Sequence, residues 1–200
     1  MKALIVVDCQ QDFMPGGALA VPGGDEVVPI INELITNFDL VIFTKDWHPD
    51  NHSGFASQAG VQPFDTIDGN VFWPDHCVQY TPGADLHPDI NFAKCKKDFY
   101  IFKKGEDVHL QGYSAFDFND DKEKIPELVK FLNEKNITQI YIVGLAGDYC
   151  CRETAIDASV YGFDTFFIID AIRFISDDTS KTLNLLYKSN VKIIKSKELF

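Results

Sequence analysis

Six short apolar segments, separated by segments of helical spacing, constrain the fold of this 200-residue chain more than any other feature. In chain order they read ALIVVD, DLVIFTKD, FYIFKK, QIYIVGLAG, TFFIID and VKIIK. Runs so rich in Ile, Val and Phe are typical of strands that are covered on both faces of a parallel sheet. Amphipathic helices are predicted between them at 25–36, 122–135, 149–161 and 179–189. The alternation predicts a doubly wound α/β sheet.

Length, charge and cysteine content narrow the possible functions. We expect a single domain over 1–200, with a long insertion at about 46–98. A net charge of −12 opposes binding to nucleic acids and to anionic membranes. No apolar run approaches the roughly 18 residues that span a bilayer. The five cysteines show no framework spacing, which favours a reducing compartment, and therefore the cytoplasm.

The long segment after the second predicted strand carries a candidate metal site. DWHPDNH supplies Asp46, His48 and His52, and WPDHC supplies His76. Asp46 and His48 project to the same side of an extended chain, so both can reach one ion. A single histidine in a loop is usually solvated, but the clustering of these residues favours a binding site for one divalent transition metal. Zinc is expected first, and iron or manganese stay open.

A candidate nucleophile follows the fourth predicted strand. GLAGDYCCRETA places Cys150 at a helix start, where the positive end of the helix lowers a thiol pKa and offers N–H groups to an oxyanion. Cys151 lies about 100° further around the helix and is expected in the core. Asp8 ends the first strand, and Lys103 and Lys104 end the third. We expect an acid, a lysine and a thiol to meet at the carboxyl edge of the sheet.

Six sequence motifs occur in the same order as in a known enzyme family. They are D-x-Q-x-D-F followed by GGALAV at 8–21, DWHP with a further His at 46–52, WPDHC at 73–77, KG at 104–105, YSAF at 113–116 and GLAGDYC at 144–150. Over nearly its whole length, the chain resembles the nicotinamidases of the isochorismatase-like cysteine hydrolase superfamily. The resemblance implies a three-layer α/β/α sandwich around a mostly parallel six-stranded sheet. It also implies metal-dependent hydrolysis of nicotinamide through a cysteine thioester, in NAD salvage.

The resemblance also implies roles for individual residues. The catalytic triad is Asp8, Lys104 and Cys150, and Lys104 is chosen over Lys103 because the family's lysine directly precedes glycine. The implied metal ligands are Asp46, His48 and His76, while His52 matches a position that coordinates the ion in some members only.

The implied oxyanion donors are the backbone N–H groups of Ala146 and Cys150, next to a cis peptide bond between Leu145 and Ala146. The implied substrate pocket consists of Phe13, Leu19, Trp73 and Tyr113. Three positions depart from the family's usual residues: Gly54 replaces serine, Gly147 replaces threonine and Cys151 replaces valine.

Other functions stay open at this level. A related cysteine amidase could act on a carbamoyl or ureido substrate, although such relatives generally lack the DWHP and WPxHC residues. A non-enzymatic interaction module would have lost part of the triad, and none of it is missing. A metal or redox protein using Cys150 and Cys151 would react without releasing ammonia. The sequence leaves both a monomer and a homo-oligomer possible.

Overall fold

The computed structural model describes residues 1–96, 99–116 and 125–199. Its strands are β1 Lys2–Val7, β2 Leu40–Asp46, β3 Thr66–Ile67, β4 Asn70–Val71, β5 Phe99–Lys104, β6 Gln139–Gly144, β7 Asp164–Ile172 and β8 Lys192–Ile194. Its α-helices are α1 Val27–Leu34, α2 Ala56–Ala59, α3 Glu127–Glu134, α4 Cys150–Val160 and α5 Ser180–Lys188.

Six of the strands form one sheet in the order β5-β2-β1-β6-β7-β8, and every neighbouring pair is parallel. The prediction of a parallel six-stranded sheet is therefore confirmed. From β1 the chain builds the sheet first towards β2 and β5, and then returns to place β6 on the other side of β1. The strands β2 and β6 thus lie on opposite sides of β1, and in such sheets a ligand crevice opens at this point, at the carboxyl ends of the strands.

Helices cover both faces of the sheet. In β1, Leu4 and Val6 pack on one side with residues of α1, whereas Ala3 and Ile5 pack on the other side with residues of α3 and α4. All four side chains are fully buried. This explains why the strands lack polar alternation, and it confirms the three-layer α/β/α arrangement.

The predicted helices are present, with small differences at their ends. The segment 25–36 contains α1 flanked by 3-10 turns, and the segments 149–161 and 179–189 contain α4 and α5. The segment 122–135 contains α3, while its residues 122–124 lie outside the described residues. None of the helices in the described ranges is both long enough and apolar enough to cross a membrane.

The segment 46–98 differs from the rest of the chain in having only short elements. It contains α2, the antiparallel hairpin of β3 and β4, and 3-10 turns, while residues 97–98 lie outside the described part. Its polar, Pro- and Gly-rich sequence cannot sustain a long helix or strand. It nevertheless buries His48, His52 and His76 against the end of the sheet. The extent of the domain, 1–200, stays a prediction.

Candidate active site

Four buried polar residues meet at the carboxyl edge of the sheet. Asp8 directly follows β1, Asp46 ends β2, Lys104 ends β5, and Cys150 begins α4 shortly after β6. These strands are adjacent and parallel, so their ends lie side by side. The structure thus brings together the acid, the lysine and the thiol that the sequence predicted.

Lys104 lies at the centre of this group. Its Nζ is 2.8 Å from Asp8 Oδ2, 2.7 Å from Asp46 Oδ1 and 3.4 Å from Cys150 Sγ, and it donates to Gly112 O at 3.0 Å. Burial alone would lower the pKa of Lys104, but the Asp46 and Asp8 carboxylates raise it well above its ordinary value. The side chain is therefore an ammonium ion. Lys103 instead lies over the ring of Trp47, on the opposite side of the strand.

Asp8 is held in place by Thr44, a fully buried residue of β2. The Thr44 hydroxyl donates to Asp8 Oδ1 at 2.6 Å and accepts from Asp8 N at 3.1 Å. Asp8 has a φ of 45°, and this double contact stabilises that uncommon backbone conformation. Oδ2 forms no hydrogen bond of good geometry to any described residue. Burial raises the pKa of Asp8 although Lys104 opposes it, which suits a proton acceptor.

Cys150 is almost completely buried at the first position of α4. Burial raises the pKa of the Cys150 thiol well above its ordinary value, and the nearby Lys104 ammonium only partly offsets this. The expectation that the helix start lowers this pKa is therefore wrong for the resting protein. Desolvation of the thiolate outweighs its attraction to the Lys104 ammonium, so the thiol needs a base. A carboxylate oxygen of Asp8 lies within 4.8 Å of the sulfur.

Two backbone N–H groups beside the sulfur are free to donate. The Leu145–Ala146 peptide bond is cis, as the resemblance implies. The N–H groups of Tyr149 and Cys151 both donate to Ala146 O. Within the described chain, neither Ala146 N nor Cys150 N donates to another group. The site therefore keeps two donors for an oxyanion.

A carboxylate and two imidazoles form a second cluster beside the triad. Asp46 Oδ2 is 3.3 Å from His48 Nε2 and 3.7 Å from His76 Nε2, and the three ligating atoms lie within 4.8 Å of one another. The other nitrogen of each ring contacts a backbone carbonyl. His48 Nδ1 lies 2.9 Å from Gly105 O, and His76 Nδ1 lies 2.7 Å from Pro74 O. This leaves both Nε2 atoms to a divalent metal ion, which the donor set fits.

His52 lies beside this cluster but is not one of its three donors. Its Nε2 donates to Leu110 O at 2.8 Å, and its Nδ1 accepts from Gly54 N at 3.1 Å. Burial, and then the nearby His48, lower the pKa of His52, in keeping with a neutral ring that has one donor and one acceptor. Both nitrogens are thus engaged in this structure. The His52 ring contacts the His48 ring at a tilt of 45°, with 4.4 Å between the ring centroids.

The glycine of the KG motif, Gly105, lies where the backbone comes close to the His48 ring. Gly105 has a φ of 66°, and a Cβ there would lie 2.5 Å from His48 Cε1. Gly112 packs directly against Gly105. A Cβ added at Gly112 would lie 2.5 Å from Gly105 Cα. A larger residue at either position would push the loop away from the metal cluster.

The thiol and the metal cluster line one cavity. Phe13, Leu19, Trp73 and Tyr113 line it as predicted, and Trp73 Nε1 donates to the Tyr113 hydroxyl at 2.9 Å. Sequence reasoning missed four further lining residues: Phe55, Gln111, Tyr149 and Ile175.

Two positioning contacts were also missed. Gln10 Nε2 donates to Asp46 O, and Gln10 Oε1 accepts from Asp46 N, both at 2.7 Å. Gln10 belongs to the D-x-Q motif, so the sequence did mark this residue, but it did not indicate what the side chain does. Thr44 lies inside an ordinary strand segment, and no sequence motif marks it as a functional residue.

Two of the departures from the family's usual residues have a packing explanation. A Cβ at Gly147 would lie 2.5 Å from Phe174 Cε1 and 2.7 Å from Ile172 Cγ2, so those side chains fill the space of a larger residue. Cys151 is fully buried in the core, as predicted for the second cysteine. All five cysteines are free.

The fold and the site together define a class of hydrolase in which a buried cysteine lies at the carboxyl edge of a parallel sheet. The chain belongs to the isochorismatase domain family, because the profile of that domain matches residues 2–198.

Relatives of known activity cover most of the chain. It is 47% identical to the nicotinamidase of Acinetobacter baylyi, over 86% of this chain and 81% of that protein. The structure of the Acinetobacter baumanii nicotinamidase/pyrazinamidase superposes with a TM-score of 0.90 at 39% identity, covering 100% of this chain and 98% of the other. The Pyrococcus horikoshii pyrazinamidase in complex with zinc gives 0.80 at 37% identity, covering 97% and 98%.

Proposed function

We propose that this protein hydrolyses nicotinamide to nicotinate and ammonia in pyridine nucleotide salvage, and that it also accepts pyrazinamide. The observation that carries the proposal is that Cys150 and the cluster of Asp46, His48 and His76 line one cavity with aromatic walls. Such a cavity suits a flat ring that bears a carboxamide on one side and a ring nitrogen on the other. The similarity to nicotinamidases supports the same substrate.

The aromatic walls hold the substrate in our proposal. The ring lies between Phe13 and Trp73, and its carboxamide carbon faces Cys150 Sγ. A divalent ion held by Asp46, His48 and His76, which we propose to be zinc, would act as a Lewis acid on the ring nitrogen and so fix the orientation of the ring. Nicotinamide is neutral, so the net charge of −12 does not hinder its approach.

Asp8 and Cys150 carry out the bond changes. Asp8 takes the proton from Cys150 Sγ, and the sulfur attacks the amide carbon to give a tetrahedral oxyanion near the N–H groups of Ala146 and Cys150. Asp8 then returns the proton to the amide nitrogen, the C–N bond breaks, and ammonia leaves a thioester. A water molecule that loses its proton to Asp8 attacks the thioester, releasing nicotinate and the thiol.

Lys104 stabilises the negative charge that Asp8 and the Cys150 sulfur carry in turn during this reaction. Its ammonium group is 2.8 Å from Asp8 and 3.4 Å from the sulfur, so it stabilises negative charge on whichever atom carries it. We also propose that the protein functions in the cytoplasm, where its five free cysteines would stay reduced.

Ammonia release from three amides tests the proposed substrate. We expect turnover of nicotinamide and pyrazinamide and little turnover of an N-carbamoyl amino acid, because the cavity walls are aromatic. A higher kcat/KM for the carbamoyl substrate would favour the related amidase function. Thiol consumption without ammonia would contradict both functions.

Replacing Thr44 with valine tests how Asp8 is positioned. The valine keeps the volume but removes the hydroxyl that contacts Asp8 N and Oδ1. We expect kcat to fall about 10- to 100-fold, the usual effect of losing a hydrogen bond to a charged group. KM should change little, since Thr44 does not line the cavity.

Steady-state kinetics on nicotinamide measure this effect, and Thr44→Ser is the matched control. Serine retains the hydroxyl, so it should recover most of kcat. Equal losses in the valine and serine variants would show that Thr44 matters only for packing.

A further inference from the structure

Gln111 lines the cavity, and its side-chain amide has no hydrogen bond within the described part of the chain. It is partly buried, in the loop between β5 and the YSAF motif. Its amide offers two donors and one acceptor beside apolar and aromatic walls, where an unpaired polar group is unfavourable. A partner that arrives with the substrate would satisfy this amide.

The backbone on both sides of Gln111 is anchored to the catalytic and metal-binding regions. Leu110 O accepts from His52 Nε2 at 2.8 Å, and Gly112 O accepts from Lys104 Nζ at 3.0 Å. The loop therefore presents Gln111 at a defined place. This also gives His52 a role that does not require metal ligation.

Gly54 provides the space that Gln111 occupies. A Cβ at Gly54 would lie 3.0 Å from both Nε2 and Oε1 of Gln111, and 3.0 Å from His52 Cε1. These are closer than ordinary carbon contacts, so a serine at position 54 would push the amide aside. Gly54 and the present position of Gln111 therefore depend on each other.

The amide of Gln111 lies on the side of the cavity that His52 lines. It is next to Gly54 and His52, and the His52 ring contacts the ring of His48 of the metal cluster. Cys150 lines the same cavity. With a carboxamide at Cys150 and the ring nitrogen at the metal cluster, positions 5 and 6 form the ring edge remote from the carboxamide. We infer that this edge faces Gln111.

We propose that Gln111 is a specificity-determining residue that hydrogen-bonds a polar substituent on this remote edge, so that the substrate class includes pyridine carboxamides carrying an amino group there. The proposal rests on the proposed function, because the ring orientation comes from it. An amino group at position 5 or 6 donates to Gln111 Oε1, whereas a methyl group of similar size has nothing to donate.

Amino- and methyl-substituted nicotinamides, compared at positions 5 and 6, test this role. We expect the wild type to favour the amino compound over the methyl compound in kcat/KM by roughly 3- to 10-fold at one of these positions, the usual effect of one neutral hydrogen bond. Gln111→Leu should bring this ratio to about one. Gly54→Ser should reduce it as well, by displacing the amide. Gln62→Leu, which changes an exposed glutamine outside the cavity, should keep the ratio.

The ratio is not affected by a general loss of activity, so a merely structural effect of Gln111→Leu would leave it unchanged. A wild type without preference at either position, or a leucine variant that keeps the preference, would overturn the proposal. Affinities of the Cys150→Ala variant for the same pairs, measured by calorimetry, report the hydrogen bond without turnover. They therefore separate a failure of the Gln111 role from a failure of the proposed reaction.

Discussion

Replacing Cys150 with alanine is expected to lower ammonia release from nicotinamide by at least about 10⁴-fold, because no other group can form the thioester. The sulfur is the only atom of the group around Lys104 that both faces the cavity and is a nucleophile of this strength. A coupled ammonia assay measures the loss. The metal content should stay near that of the wild type, since the cluster of Asp46, His48 and His76 remains intact.

The neighbouring cysteine provides a matched control for this variant. Cys151 is fully buried in the core, one position along the same helix. Cys151→Val keeps an apolar side chain of similar size and restores the residue usual in the family, so most of the activity should remain. Retained turnover in the Cys150→Ala variant, or an equal loss in a folded Cys151→Val variant, would contradict the assignment of the nucleophile.

Replacing His48 with alanine is expected to abolish metal binding and to lower kcat/KM by at least about 100-fold. This loss is larger than the one expected from removing a residue that only hydrogen-bonds to a metal ligand. The cluster has one carboxylate and two imidazole donors, so removing one leaves too few ligands to hold the ion. Elemental analysis of the purified protein measures the metal, and kinetics measure the second effect. The loss should appear mainly in KM, because the triad does not include His48.

Two other histidines serve as controls for this variant. His109 is exposed and outside the cluster, so His109→Ala should keep both metal and activity. His52→Ala should keep the metal as well, since both nitrogens of His52 already bind backbone groups. Wild-type protein that contains no divalent metal, and whose activity withstands a chelator, would disprove the metal site.

The strands and the candidate residues at their ends could be predicted because local patterns encode them. Apolar runs mark the buried strands, and in a parallel sheet their carboxyl ends share one edge. Asp8, Lys104 and Cys150 are therefore expected to meet at that edge. The state of the thiol could not be predicted in this way. Its pKa depends on how completely Cys150 is buried, and a motif does not record burial.

By itself, the sequence determined the order of the elements, the edge of the sheet that carries the chemistry, and the residue types that lie there. Only the tertiary structure decided which atoms meet. It placed Thr44 on Asp8 across 36 residues of chain and Lys104 on Asp46 across 58. It also directed the nitrogens of His52 to backbone groups, and it opened space for Gln111 at Gly54. The physical reason is that spacing along the chain sets local conformation, whereas hydrogen-bond partners and burial arise from segments that become neighbours only when the sheet and its loops pack.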